Sequence, residues 1–173
     1  MEINNMKRGI ITLVLLGLSV LSFAQAPSEA QLADLKKKYD YVSKFNGGVA
    51  YIKKGDLYGF VDHKGKVLVA PTFDMVDKFY EGMVKVRKGK KYGFVNTTGK
   101  VVVPIEFDDA SPFDGGLARV KKGSGVGFID KTGKVIIPLT YDQAFFFKNG
   151  TSRVKKGEKW FFINKSNKCV KDC

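Results

Sequence analysis

The sequence of 173 residues holds one histidine, one tryptophan, two cysteines and five prolines, and its 17 acidic side chains face 30 basic ones. A single His63, with Cys169 and Cys173 at the far end of the chain, leaves too few ligands for a metal cage and too few bases for a catalytic triad. No G-x-S-x-G, H-E-x-x-H, C-x-x-C or phosphate-cradling glycine loop occurs. The expectation is therefore a protein without metal, cofactor or catalytic residues. Shortage of acid excludes an acidic disordered chain, and 44 % apolar with 13 % aromatic residues suits a chain with a core. Long apolar runs are lacking too. The one continuous stretch, Ile10 to Phe23, has about 14 residues where a bilayer span needs roughly 20.

That stretch follows Lys7 and Arg8 and ends in the small residues Ala24-Gln25-Ala26, the layout of a secretory signal peptide. Cleavage between Ala24 and Gln25 keeps Pro27 away from the scissile bond, so residues 1–24 are read as a leader and 25–38 as a linker with a capping helix. Losing the leader removes two cations and one carboxylate, Glu2, which takes the net charge from +13 to +12. The expected location is periplasmic or secreted, with no membrane anchor left after cleavage.

One period accounts for nearly everything after residue 38. The segment Tyr58-Gly59-Phe60-Val61-Asp62 returns at Tyr92, at Val126 and at Trp160, each step 34 residues with no insertion. The flanks keep the same phase. An aromatic-Asp pair stands at Asp40, Asp74, Asp108 and Asp142, and a Lys-Gly pair at Gly55, Gly89, Gly123 and Gly157. Four units run 39–72, 73–106, 107–140 and 141–173.

Within a unit the pattern predicts three strands, as at 49–53, 58–62 and, in the next unit, 101–103. Asp62, Asn96, Asp130 and Asn164 open a turn in which a short side chain bonds to amides ahead, and Gly65, Gly99, Gly133 or Asn167 closes it at positive φ. Pro71, Pro104 and Pro138 are expected to end the third strand. Gly59, Gly93 and Gly127 mark places where another backbone or ring approaches closely. The second strand is apolar on both faces, so successive units must cover one another. Ser28 begins a capping-box helix that replaces the strand a preceding unit would supply, and Phe161, standing where Gly is the rule, reads as a cap at the other end.

These features resemble the WG-repeat family, whose units carry an aromatic-Gly-Phe-Ile/Val-Asp-x-x-Gly-Lys core, a hydrophobic strand, proline and an aromatic-Asp. Tyr58-Gly59, Tyr92-Gly93 and Val126-Gly127 match its defining dipeptide loosely, and Trp160 supplies the Trp without the Gly. The resemblance implies a bacterial exported β-repeat protein with no catalytic residues to carry over. The predicted fold is all-β: four three-stranded meanders in an open, solenoid-like array, with a closed propeller-like ring as the alternative.

The candidate binding residues are cations that recur at one phase: Lys53, Lys54, Arg87, Lys88, Lys90, Lys91, Lys121, Lys122, Lys155 and Lys156. In a stacked array they form a basic ridge suited to an extended anionic envelope polymer or an acidic partner protein, and export argues against intracellular nucleic acid. The plainer reading is that they keep turns soluble and block edge pairing. A second functional reading uses an apolar or aromatic repeat face, including Tyr58, Tyr92 and Trp160, to bind a protein in a structural or inhibitory role. The recurrent Asp residues read as turn-bonding groups, and His63 as an exposed turn residue. Cys169 and Cys173 can form a disulfide only if the tail turns sharply after Lys168.

Overall fold

The computed structural model describes residues 27–173; the expected leader lies outside the described residues. The chain opens with helix α1, Glu29–Lys38. Ser28 caps it by accepting from the Gln31 amide at 3.2 Å, and the Gln31 side chain accepts from the Ser28 amide at 2.9 Å, so two amides that a helix start leaves unpaired are satisfied. Lys36, Lys37 and Lys38 sit in the last turn, where the helix dipole favours cations.

Sixteen strands follow, in four antiparallel meanders of four. The first sheet is β1 (Tyr41–Val42), β2 (Val49–Lys54), β3 (Leu57–Asp62) and β4 (Val67–Phe73). The second is β5 (Met75–Tyr80), β6 (Met83–Lys88), β7 (Lys91–Asn96) and β8 (Val101–Phe107). The third is β9 (Asp109–Ala110), β10 (Leu117–Lys122), β11 (Gly125–Asp130) and β12 (Val135–Tyr141). The fourth is β13 (Gln143–Ala144), β14 (Thr151–Lys156), β15 (Lys159–Asn164) and β16 (Cys169–Lys171). Each unit thus carries an extra edge strand beyond the three expected, two residues long except for the six of β5, and each sheet changes to the next at the repeat Asp. All-β architecture, four tandem repeats and the N-terminal helix are as the sequence indicates.

Three turns shape each sheet. The outer hairpin turn has Gly55, Gly89, Gly123 or Gly157 first, at φ near 60°, followed by a residue of negative φ, the II′ arrangement that matches strand twist. The turn before β2, β6, β10 and β14 has two successive residues at positive φ, such as Gly47-Gly48 and Asn149-Gly150, which is I′. In the third turn Asp130 accepts from the Thr132 and Lys134 amides at 2.8 and 3.0 Å, and Asn96 from Thr98 and Lys100 at 3.0 Å. Gly133 at φ 86° and Asn167 at φ 59° close it, as expected.

The prolines depart from expectation. Strands β4, β8 and β12 run through Pro71, Pro104 and Pro138 and end two or three residues later at Phe73, Phe107 and Tyr141. They are the outer strands of their sheets, where a missing amide costs no ladder bond, and the ladder slips beside the proline: Phe94 pairs with Val103, but Tyr92 pairs with Phe107. The bulged backbone leans over the middle strand. A Cβ on Gly93 would stand 2.6 Å from the Val103 carbonyl oxygen and 2.8 Å from that of Pro104. The close approach foreseen for Gly59, Gly93 and Gly127 therefore comes from within the same sheet, not from the next unit. Phe161 is tolerated because β16 ends at Lys171, opposite Phe162, short of the bulge that leans over the glycine in the other sheets.

The core lies between sheets. One face of each sheet packs on the opposite face of the next: Val49, Phe60 and Phe73 against Val84, Val86 and Val95; Met83, Phe94 and Phe107 against Ala118, Val120 and Ile129; Leu117, Phe128 and Tyr141 against Val154 and Ile163. The free face of the first sheet, Ala50, Ile52 and Val61, is covered by Leu35 of α1. Such a stack depends on nearest neighbours only.

Candidate functional site

The candidate cations gather at the II′ turns, and the repeat Asp residues organise them. The amide of each Asp donates to a strand carbonyl, as Asp74 to Arg87 at 2.9 Å, while its carboxylate accepts from the turn glycine, at 2.7 Å for Gly55–Asp40 and 2.6 Å for Gly123–Asp108 and Gly157–Asp142. These carboxylates hold turns. Among the described residues no group of three or more His, Cys, Asp and Glu side chains is arranged to hold a metal ion.

Asp108 also receives Lys91 Nζ at 2.5 Å, so it ties the turn of the second sheet to that of the third. Lys91 first, then the Gly123 amide, holds the Asp108 carboxyl below the usual carboxylate range. Lys122 reaches Glu106 at 2.9 Å in the same region. The turns therefore stand side by side. Strand alternation splits the cations into two rows, however. Lys53, Arg87 and Lys121 point toward the following sheet and Lys155 lies on the corresponding face of the fourth, all half-buried, whereas Lys54, Lys88, Lys122 and Lys156 point the other way and are exposed, as are Lys90 and Lys91. Among the described residues Lys54, Lys88, Lys90, Lys121, Lys155 and Lys156 make no ion pair, and the buried Nε of Arg87 has no hydrogen-bond partner.

The half-buried aromatics on the following-sheet face each carry a cation: Lys53 over Tyr58 at 5.8 Å, Lys85 over Tyr92 at 5.5 Å and Arg153 over Trp160 at 4.6 Å. Burial, then the interaction of its hydroxyl with that of Tyr41, raises the Tyr51 hydroxyl above its ordinary range beside Tyr58. His63 is half-buried in the turn after β3. Cys169 and Cys173 are joined, with Cα atoms 5.9 Å apart, and the loop they close begins with β16 itself.

The opposite end of the hairpins carries a feature absent from the sequence reading. Glu81 is the first residue of an I′ turn, at φ 50°, where the other units have Gly47, Gly115 and Asn149. Its carboxylate accepts from the Gly115 and Gly116 amides at 2.7 and 3.0 Å and pairs with Lys131 at 3.0 Å. Lys131, first, and these amides hold the Glu81 carboxyl low against a smaller opposing effect of burial. Lys165 in turn donates to the Gly115 carbonyl at 2.6 Å. Comparing the units in register would have flagged Glu81, since among the four I′ turns only that of the second unit puts a charged side chain at the left-handed first position.

The model of the family described as WG containing repeat matches residues 35–58, 58–92, 92–125 and 127–160. No curated protein matches the sequence. Among solved structures, a eukaryotic initiation factor is similar over 75 % of this chain and 42 % of its own, at 12 % identity and a TM-score of 0.48. Hsv2 of Kluyvelomyces marxianus is similar over 71 % of this chain and 50 % of its own, at 14 % identity and a TM-score of 0.39. The chain thus spans half or less of either protein.

Proposed function

We propose that the chain, which belongs to the WG-repeat family, is a non-enzymatic binding module of the bacterial envelope, exported to the periplasm or beyond, that holds an anionic envelope polymer along its turn edge. The observation that carries this reading is the repetition of exposed lysines without ion pairs on turns that Asp108 links side by side. A polyanion that follows the edge meets the same arrangement at each unit, so weak contacts add, and small ions released from both partners make the binding salt-sensitive. The carboxylates of Asp40, Asp74, Asp108 and Asp142 lower the charge of the edge, but each already accepts a turn amide. Export is supported by the apolar run after Lys7 and Arg8 and by the Cys169–Cys173 bond, since such bonds persist in oxidising compartments.

The test is retention of the protein on immobilised alginate, a defined anionic polysaccharide, at rising salt. The expected result is elution by moderate salt and loss of retention when Lys54, Lys88, Lys90 and Lys156 are all changed to Glu, a set chosen because none makes an ion pair. Salt-insensitive retention, retention unchanged in the variant, or no retention of the wild type overturns the proposal.

A further inference from the structure

The fourth sheet breaks the pattern that buries the other three. In the first three sheets the face bearing Phe60, Phe94 or Phe128 is closed by the next sheet, and those rings are 0, 0 and 2 % exposed. The equivalent ring, Phe162, lies on the outward face of the fourth sheet, and among the described residues no further sheet covers it. Phe145 and Phe146 stand beside it, 54 and 58 % exposed, with Phe145 tilted against Trp160 at 5.7 Å. An open groove of about 510 Å³ runs between Phe145, Phe146, Arg153 and Phe162.

The local wiring has been changed in a way that leaves Phe145 outward. In the first and third units its position holds Ser43 or Ser111, a buried hydroxyl that accepts from the Tyr51 or Arg119 amide at 3.0 Å and ties the edge to the neighbouring strand. In the fourth unit the serine sits on the neighbouring strand instead. Ser152, where the others have Ala50, Val84 or Ala118, donates to the Phe145 carbonyl at 2.7 Å. The tie is kept while its former position carries an exposed ring.

We propose that this face is the docking site for an acidic protein segment that seats an apolar side chain in the groove between Phe146 and Phe162. Charge chooses the occupant. Arg153 lies over Trp160, Lys171 over Phe162 at 5.5 Å, and Lys148 lines the groove. Two copies of the chain meeting through this face would bring these three cations against their own kind. A segment with carboxylates on either side of an aromatic or aliphatic residue pairs with them and covers apolar surface at once. The site is separate from the turn edge and does not depend on a polymer binding there.

Trp160 is the chain's one tryptophan, so its fluorescence reports this face directly. The probe is the peptide acetyl-Glu-Asp-Phe-Asp-Glu-amide, titrated into the full protein, with a Phe-to-Ser peptide and an amide-for-carboxylate peptide as controls. The expected result is a saturable Trp160 change for the first peptide alone, weakened at least about tenfold in Phe146→Ser and in Arg153→Glu. Both substituted side chains are exposed, and circular dichroism checks that the variants fold. The variant with Lys54, Lys88, Lys90 and Lys156 changed to Glu is expected to bind the peptide like wild type, so this proposal and the polymer proposal fail separately. No Trp160 change, a change insensitive to Phe146→Ser, or sedimentation showing a dimer that Phe146→Ser dissolves would each overturn it, the last in favour of a second copy.

Discussion

Replacing Glu81 sets two effects of opposite sign against each other. The residue holds a left-handed backbone at φ 50°, which costs an L side chain about 1 kcal/mol. Against that, its carboxylate accepts two amides of the next unit's turn, each worth about 1 kcal/mol at a surface, and an ion pair with Lys131 whose side chains are 42 and 33 % exposed, worth about 0.5 kcal/mol. Glu81→Ala removes the bonds and keeps the strain, for a loss of about 2.5 kcal/mol. Glu81→Gly removes both, for a loss of about 1.5 kcal/mol. At roughly 3 °C per kcal/mol for a chain this size, thermal unfolding is expected to fall by about 8 and 5 °C. Hydrogen exchange gives the local readout, since the Gly115 and Gly116 amides lose protection in both variants. The pH dependence has a definite sign. Lys131 and the two amides hold the folded-state carboxyl low, so its contribution is present above the unfolded value of about 4.3 and is lost as pH falls through the lower folded value. The gap between wild type and Glu81→Gln is therefore expected at pH 7 and closes below about pH 4. A Glu81→Gly protein as stable as wild type refutes the latch, and equal losses for Ala and Gly refute the strain.

Two further perturbations test the sheet itself. Gly93→Ala places a Cβ against the Val103 and Pro104 carbonyls, both backbone, and is expected to cost about 3 kcal/mol in urea unfolding; a loss under about 0.5 kcal/mol would show that the bulge yields. Reducing Cys169–Cys173, or changing both to Ser, releases a loop whose closure is worth at most about 2 kcal/mol, and the expected outcome is faster exchange in β15 and β16 with the first three sheets unchanged. Equal acceleration in every sheet would show that the array unfolds as one unit rather than by neighbours.

Much of this was legible because the four units check one another. The turn glycines with Asn167 in their place in the last unit, the amide-bonding Asp and Asn residues, and the capping box of α1 follow from local chemistry that a short window contains. The extra edge strands do not, since Tyr41–Val42 or Asp109–Ala110 is too short to show alternation. The prolines misled because a missing amide ends a central strand but not an outer one. The basic ridge was visible as a phase but not as two rows, which appear only when β2 is paired with β3. Glu81 and Phe145 contradict what their positions hold elsewhere, and both have a structural reason in another unit or on another strand. Local propensity points away from each of them.

The bulge in the outer strands also settles where the repeat can vary. Pro71 stands one residue later in its unit than Pro104 and Pro138 do in theirs, yet the pairs on either side are unchanged: Phe60 with Val69 and Tyr58 with Phe73, Phe94 with Val103 and Tyr92 with Phe107. A one-residue slip anywhere else in a strand would turn core side chains to solvent. A shift of one residue is thus absorbed by the few unpaired residues of the outer strand. The bulge takes up that shift, and the 34-residue spacing of the turns and core strands is the same across all four copies.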